Sequence, residues 1–126
     1  MTRPRLTAHA IALAAVLAAP PAFAHAFLAH AIPAVGSTVA VSPPVLTLFF
    51  TEGVVPHFSK VQVLDAHGSA VSAGEPHTAT DNNRELLVGL PKLPPGTYSV
   101  VWHVTSQDTH KTEGRFSFKI GPQAAQ

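Results

Sequence analysis

Apolar and polar side chains alternate in two stretches near the end of the chain. Tyr98, Val100, Trp102 and Val104 share one face of the first stretch, with Ser99, Val101 and His103 on the other. In the second, Phe116, Phe118 and Ile120 oppose Arg115, Ser117 and Lys119. Such alternation buries one face of a strand and wets the other, as in two antiparallel sheets packed face to face. Elsewhere the apolar runs are short and rich in Val, Phe, Leu and Thr, and none after residue 24 has the spacing of an amphipathic helix. The pattern predicts strands near 25–32, 45–51, 59–65, 69–73, 85–90, 96–105 and 113–120. Turn chemistry falls between them, at Pro33 to Gly36, Ser42-Pro43-Pro44, Asp65-Ala66-His67-Gly68, Asp81-Asn82-Asn83 and Leu93-Pro94-Pro95-Gly96. About seven strands in roughly 100 residues is the size of an immunoglobulin-like sandwich. The expected fold is therefore all-β, an immunoglobulin-like antiparallel β-sandwich or barrel with Greek-key connections. There is no internal repeat and no linker, and Gly121 to Gln126 is expected to fray.

The first two dozen residues follow another pattern. Arg3 and Arg5 precede a nearly unbroken Ala, Leu, Val and Ile run from Ile11 to Ala19, closed by Pro20-Pro21-Ala22-Phe23-Ala24. His9 interrupts only the beginning of that run. A basic start, an apolar middle and small residues at Ala22 and Ala24 mark a secretory signal cleaved after Ala24. The run is too short to be a spanning helix. Residues 1–24 are thus expected to be removed, and 126 less 24 leaves a single domain of 102 residues, 25–126, beginning His25-Ala26-Phe27.

Removing the signal changes the charge balance. Arg3 and Arg5 are two of the eight basic residues, and all seven acids lie beyond residue 24, so the mature charge is six less seven, −1 with His neutral. A near-neutral chain has no electrostatic footprint for nucleic acid or for an anionic membrane surface. The chain has no cysteine, which excludes disulfides, thiolate metal sites and cysteine nucleophiles. Histidine is abundant instead, at positions 25, 30, 57, 67, 77, 103 and 110 of the mature part.

Two histidines stand in places with chemical meaning. Cleavage makes His25 the first residue, and a terminal histidine offers its α-amine and ring Nδ1 to one metal ion in a closed chelate. A free α-amine titrates at roughly 7.7–8.0, so a metal displaces its proton near neutral pH. In Asp108-Thr109-His110, residues two apart on an extended chain project to the same side, about 6.5–7 Å apart. A carboxylate and an imidazole then converge on one ion, although a polar turn between two strands accounts for the same residues. Glu52 is a further candidate and is equally read as a strand-end residue. The remaining histidines read as solvated surface positions. Trp102 reads as a core anchor.

The segments His25-Ala26-Phe27-Leu28, Phe50-Thr51-Glu52-Gly53-Val54 and Gly96-Thr97-Tyr98-Ser99-Val100-Val101-Trp102 resemble the CopC family of periplasmic copper resistance proteins. So does the stretch from Asp108-Thr109-His110-Lys111 through Gly114-Arg115-Phe116-Ser117-Phe118-Lys119. The likeness runs in order over essentially all of the mature chain. It implies an immunoglobulin-like β-barrel or sandwich that holds one Cu(II) per chain. The implied ligands are His25, through amine and ring, with Asp108 and His110; a glutamate matching Glu52 lies near the metal in some relatives. It further implies a periplasmic role in copper resistance, storage or delivery, and a CopD-type inner-membrane copper transport protein as partner. Some members also hold Cu(I) in a methionine-rich loop. Here Met1 is the only methionine, and the matching region, Ser59 to Ser72, offers only His67. Soft Cu(I) wants sulfur ligands, so a cuprous site is not expected.

The donor set argues for copper on its own. An amine, two imidazoles and one carboxylate suit tetragonal Cu(II), which tops the divalent affinity order. With neither cysteine nor a haem motif in sight, a binder or carrier is expected rather than an enzyme. Two rivals remain. Lytic polysaccharide monooxygenases also begin with a copper-chelating histidine on a β-sandwich, but they are usually longer and present a flat aromatic face. The other rival is a metal-free adhesion or interaction sandwich.

Overall fold

The two alternating strands of the last third of the chain pair as a long hairpin, the spine of the structure. The computed structural model describes Thr2, residues 25–71 and residues 73–122; the expected signal segment, Thr2 aside, and residues 123–126 lie outside the described residues. The described strands are β1 (Leu28–Ile32), β2 (Thr38–Val39), β3 (Val45–Phe50), β4 (Lys60–Leu64), β5 (Ala70–Val71), β6 (His77–Ala79), β7 (Asn82–Gly89), β8 (Gly96–Thr105) and β9 (Lys111–Ile120). A single 3-10 turn, Pro56–Phe58, lies between β3 and β4. One sheet has the order β1-β3-β7-β6, and the other β2-β9-β8-β4-β5. Strands that are neighbours in sequence often sit in different sheets, so the chain crosses repeatedly between layers, as a Greek-key sandwich requires.

The alternating faces pack against one another. Leu46, Leu48 and Phe50 of β3 and Leu86 and Val88 of β7 meet Val61 and Val63 of β4, Tyr98, Val100, Trp102 and Val104 of β8, and Phe116, Phe118 and Ile120 of β9. Phe50 and Trp102 bridge the two sheets edge to face, centroids 5.2 Å apart, an arrangement aromatic quadrupoles favour. Tyr98 stacks on Phe118 and donates its hydroxyl to the Pro94 carbonyl at 2.6 Å. Burial, and then the nearby Asp65 carboxylate, hold its phenol above the ordinary 10.0, so it remains a neutral donor.

Five features differ from the sequence expectation. Strand β2 is a two-residue element that runs parallel to β9, pairing Thr38 with Lys119 and Val39 with Ile120, so the sandwich is not wholly antiparallel. Two residues are too few to show alternation. Strand β6 is likewise absent from the expected set, and its pairing with β7 moves the hairpin tip to Thr80 and Asp81. Asn82 and Asn83 become strand residues, their turn preference overridden by cross-strand pairing. The first strand begins at Leu28, with a register shift between Leu28 and His30, and residues 25–27 precede it without strand pairing. Of the strand expected over 69–73, the described residues show Ala70–Val71, and the last strand starts earlier, at Lys111.

For the site, the important element is the ten-residue ladder between β8 and β9. It runs from Gly96 opposite Ile120 to Thr105 opposite Lys111. Its closed end is the loop 106–110.

Candidate metal centre

Loop 106–110 is fixed by backbone bonds before any side chain is considered. Ser106 forms an isolated bridge with Val54 and donates its N–H to the His110 carbonyl at 2.9 Å. Thr109 N–H returns to the Ser106 carbonyl, and Gln107 N–H reaches the Gly53 carbonyl, each at 2.9 Å. Thr109 closes the turn at φ 71. That left-handed conformation is uncommon for a β-branched residue and costs on the order of 1–3 kcal/mol.

The result is that Asp108 and His110 are drawn together. His110 Nδ1 lies 3.1 Å from Asp108 Oδ2. The other carboxylate oxygen, Oδ1, accepts a hydrogen bond from the Ser106 hydroxyl. The Ser106 bond first, and then the His110 bond and charge, hold the Asp108 carboxyl below the ordinary 3.8. An ionised carboxylate only accepts, so Nδ1 of His110 carries the proton in this pair.

Residues 25–27 are laid across the end of both sheets. Thr51 Oγ1 accepts the Phe27 N–H at 3.0 Å and donates to the His25 carbonyl at 3.2 Å. Thr51 N–H bonds the Phe27 carbonyl at 2.9 Å. From the second sheet, Thr112 Oγ1 donates to the Ala26 carbonyl at 2.6 Å, and Ala26 is fully buried. This clamp brings the His25 ring edge to face against His110, centroids 4.8 Å apart. Two imidazoles on one ion, each nitrogen about 2.0 Å from it, sit at a comparable separation, so the pair fits a shared metal.

The structure therefore joins the expected residues in a chain of pairs, His25 to His110 and His110 to Asp108. Glu52 is placed across a small cavity of about 90 Å³ from Asp108, lined also by Gly53, Ser106 and Gln107. Among the described residues, no three His, Asp or Glu side chains already close on one point. Ser106, Thr51 and Thr112 carry no signal in the sequence. Serine and threonine near strand ends are commonplace, and only the cross-strand register reveals which of them reach the site.

The other histidines lie elsewhere. His103 pairs with Glu113 at 3.0 Å on the outer face of the second sheet, and His30 stacks on Phe49 at 4.1 Å on the outer face of the first. Among the described residues, no helix is long and apolar enough to cross a membrane.

Comparison with known proteins gives a consistent answer. A family model described as the CopC domain matches residues 28–121. Protein YobA of Escherichia coli (strain K12) is 36% identical over 105 residues, 82% of this chain and 85% of that protein. Copper resistance protein C of Xanthomonas campestris pv. juglandis is 33% identical over 118 residues, 87% of this chain and 91% of that protein. Among solved structures, CopC from Methylosinus trichosporium OB3b superposes with a TM-score of 0.74 at 35% identity, covering 81% of this chain and 99% of that one. PcoC, a methionine-rich copper resistance protein from Escherichia coli, gives 0.69 at 28% identity, over 77% and 99%. With the sandwich and the matched span in agreement, the chain belongs to the CopC family.

Proposed function

We propose that this protein is exported, cleaved after Ala24, and binds one Cu(II) per chain in the periplasm for copper resistance, storage or delivery. His25 supplies its new α-amine and its ring, His110 its ring and Asp108 a carboxylate, with Glu52 beside them. The observation that carries the reading is the packing of the His25 ring against His110 at 4.8 Å, on a hairpin end where Asp108 holds the second ring at 3.1 Å. Nitrogen donors with one carboxylate suit Cu(II) before other divalent ions. The names of relatives such as copper resistance protein C point the same way. PcoC is called methionine-rich; this chain has Met1 alone, which supports a Cu(II) site without a cuprous one. The site binds and releases copper and performs no catalysis. Protons compete with the metal for its nitrogens, so acid promotes release. Delivery across the inner membrane requires a partner, for which a CopD-type transport protein is proposed.

The deciding experiment compares the chain beginning at His25 with one carrying an extra residue before it. Cu(II) titration with paramagnetic resonance should give one nitrogen-ligated site in the first and a large loss of affinity in the second, both folded alike. Equal affinities would overturn the terminal chelate.

A further inference from the structure

Ser106 is only 1% exposed, whereas the side chains of Asp108 and His110 beside it are open to solvent. It bridges to the fully buried Val54, and a hydroxyl placed there needs partners. The backbone of Ser106 is already engaged at both ends, with His110 and with Thr109. The hydroxyl has one proton and two choices, Asp108 Oδ1 and, at 3.2 Å, the His110 carbonyl. The carboxylate is the stronger acceptor and takes it. A lone pair on the same oxygen accepts the His110 N–H at 3.2 Å.

Asp108 is thereby held at both oxygens, by a buried hydroxyl on one side and by His110 Nδ1 on the other. An exposed aspartate without such a bond samples several rotamers, and ordering it when a ligand arrives costs entropy. We infer that Ser106 is a positioning residue: its hydroxyl fixes the Asp108 carboxylate, and through it the His110 ring, in the orientation that receives the metal. The two-ligand motif is then a three-part unit, Ser106-x-Asp108-x-His110. This inference rests on the copper reading above.

The test is a double-mutant cycle on protein beginning at His25, with Cu(II) affinity measured by chelator competition and folding by circular dichroism. Ser106→Ala should lower affinity about ten- to a hundredfold, the range for partners that orient metal ligands. In an Asp108→Ala background the same change should cost far less. Equal losses in both backgrounds, or no loss in the first, would overturn the inference. A second measurement needs neither metal nor variant. Scalar couplings at the Asp108 Cβ in the metal-free protein should report a single χ1 rotamer, and averaged couplings would overturn the inference even if Ser106→Ala failed to fold. If the unaltered protein bound no nitrogen-ligated Cu(II) yet held Asp108 in one rotamer, the copper reading would fail and not the positioning.

Discussion

The clamp on residues 25–27 can be cut without touching any proposed ligand. Thr51→Val with Thr112→Val keeps the side-chain shape but removes three hydrogen bonds, to Phe27 N–H, the His25 carbonyl and the Ala26 carbonyl. A net bond is worth about 0.5–1.5 kcal/mol. The two bonds of Thr51 are exposed and belong at the low end, while the part-buried Thr112 bond belongs higher. All three restrain one short segment, so their sum is an upper bound and about 1–3 kcal/mol is a fair range. That ordering has to be supplied when copper binds. At 1.4 kcal/mol per tenfold, the affinity of the double variant should fall by about fivefold to a hundredfold. Ala26 remains against a core bridged by Phe50 and Trp102, so a cooperative melt should survive. Chelator-competition titration gives the affinity, and hydrogen exchange at the Phe27 amide shows whether the clamp has opened. Faster exchange with unchanged affinity would refute the idea that these threonines deliver His25 to the metal.

Other consequences are more local. Gly114 lies opposite Trp102 in the β8–β9 ladder, and a Cβ there would run into the indole ring; Gly114→Ala should cost about 1–3 kcal/mol and lower the calorimetric melting temperature, and an unchanged transition would count against the packing described. Copper titration should show His110→Ala weakening binding more than Asp108→Asn, because the imidazole is the better Cu(II) donor, with both variants folded; the reverse order would make Asp108 the dominant ligand. The Asp108 carboxyl is held below the ordinary 3.8, by Ser106 first. A lowered folded value stabilises the fold above the unfolded value and is lost as pH falls through the folded one. In metal-free urea unfolding, the advantage over Asp108→Asn should be complete near neutral pH and vanish in strong acid; a constant difference would show that the carboxylate is not so held.

The parts of the fold legible in the sequence are those where one face is buried and one is wet. Tyr98 to Val104 and Phe116 to Ile120 declare their inward faces by alternation, and each of those inward residues is in the core. Strands β2 and β6 are short edge elements that contribute little to the core, so no apolar period marks them. Asn82 and Asn83 mislead for a related reason. Their side chains favour turns, but the pairing of β6 with β7 determines where the turn falls, and that partner is invisible from local composition.

The proposed site is legible in its candidate ligands and hidden in their supports, and the two differ physically. The proposed ligands His25, Asp108 and His110 are chemically conspicuous because few residue types can bind copper and because the proposed cleavage would give His25 a second nitrogen. Ser106, Thr51 and Thr112 act through single hydroxyls, and the chain holds many of those. What distinguishes these three is where the ladders stop. Ser106 follows the last residue of β8, Thr51 follows the last of β3, and Thr112 is the second residue of β9. Backbone groups at strand ends lose their ladder partners, and side-chain hydroxyls there can turn to a neighbouring segment. The proposed metal site, at the end of the sandwich, thus takes its supports from positions at or just past the ends of strands. Residues beyond the strand ends supply the proposed donors, and buried or clamped hydroxyls supply their orientation. The same division explains why exchanging a support should change affinity while leaving the kind of metal unchanged, whereas exchanging a ligand should change both.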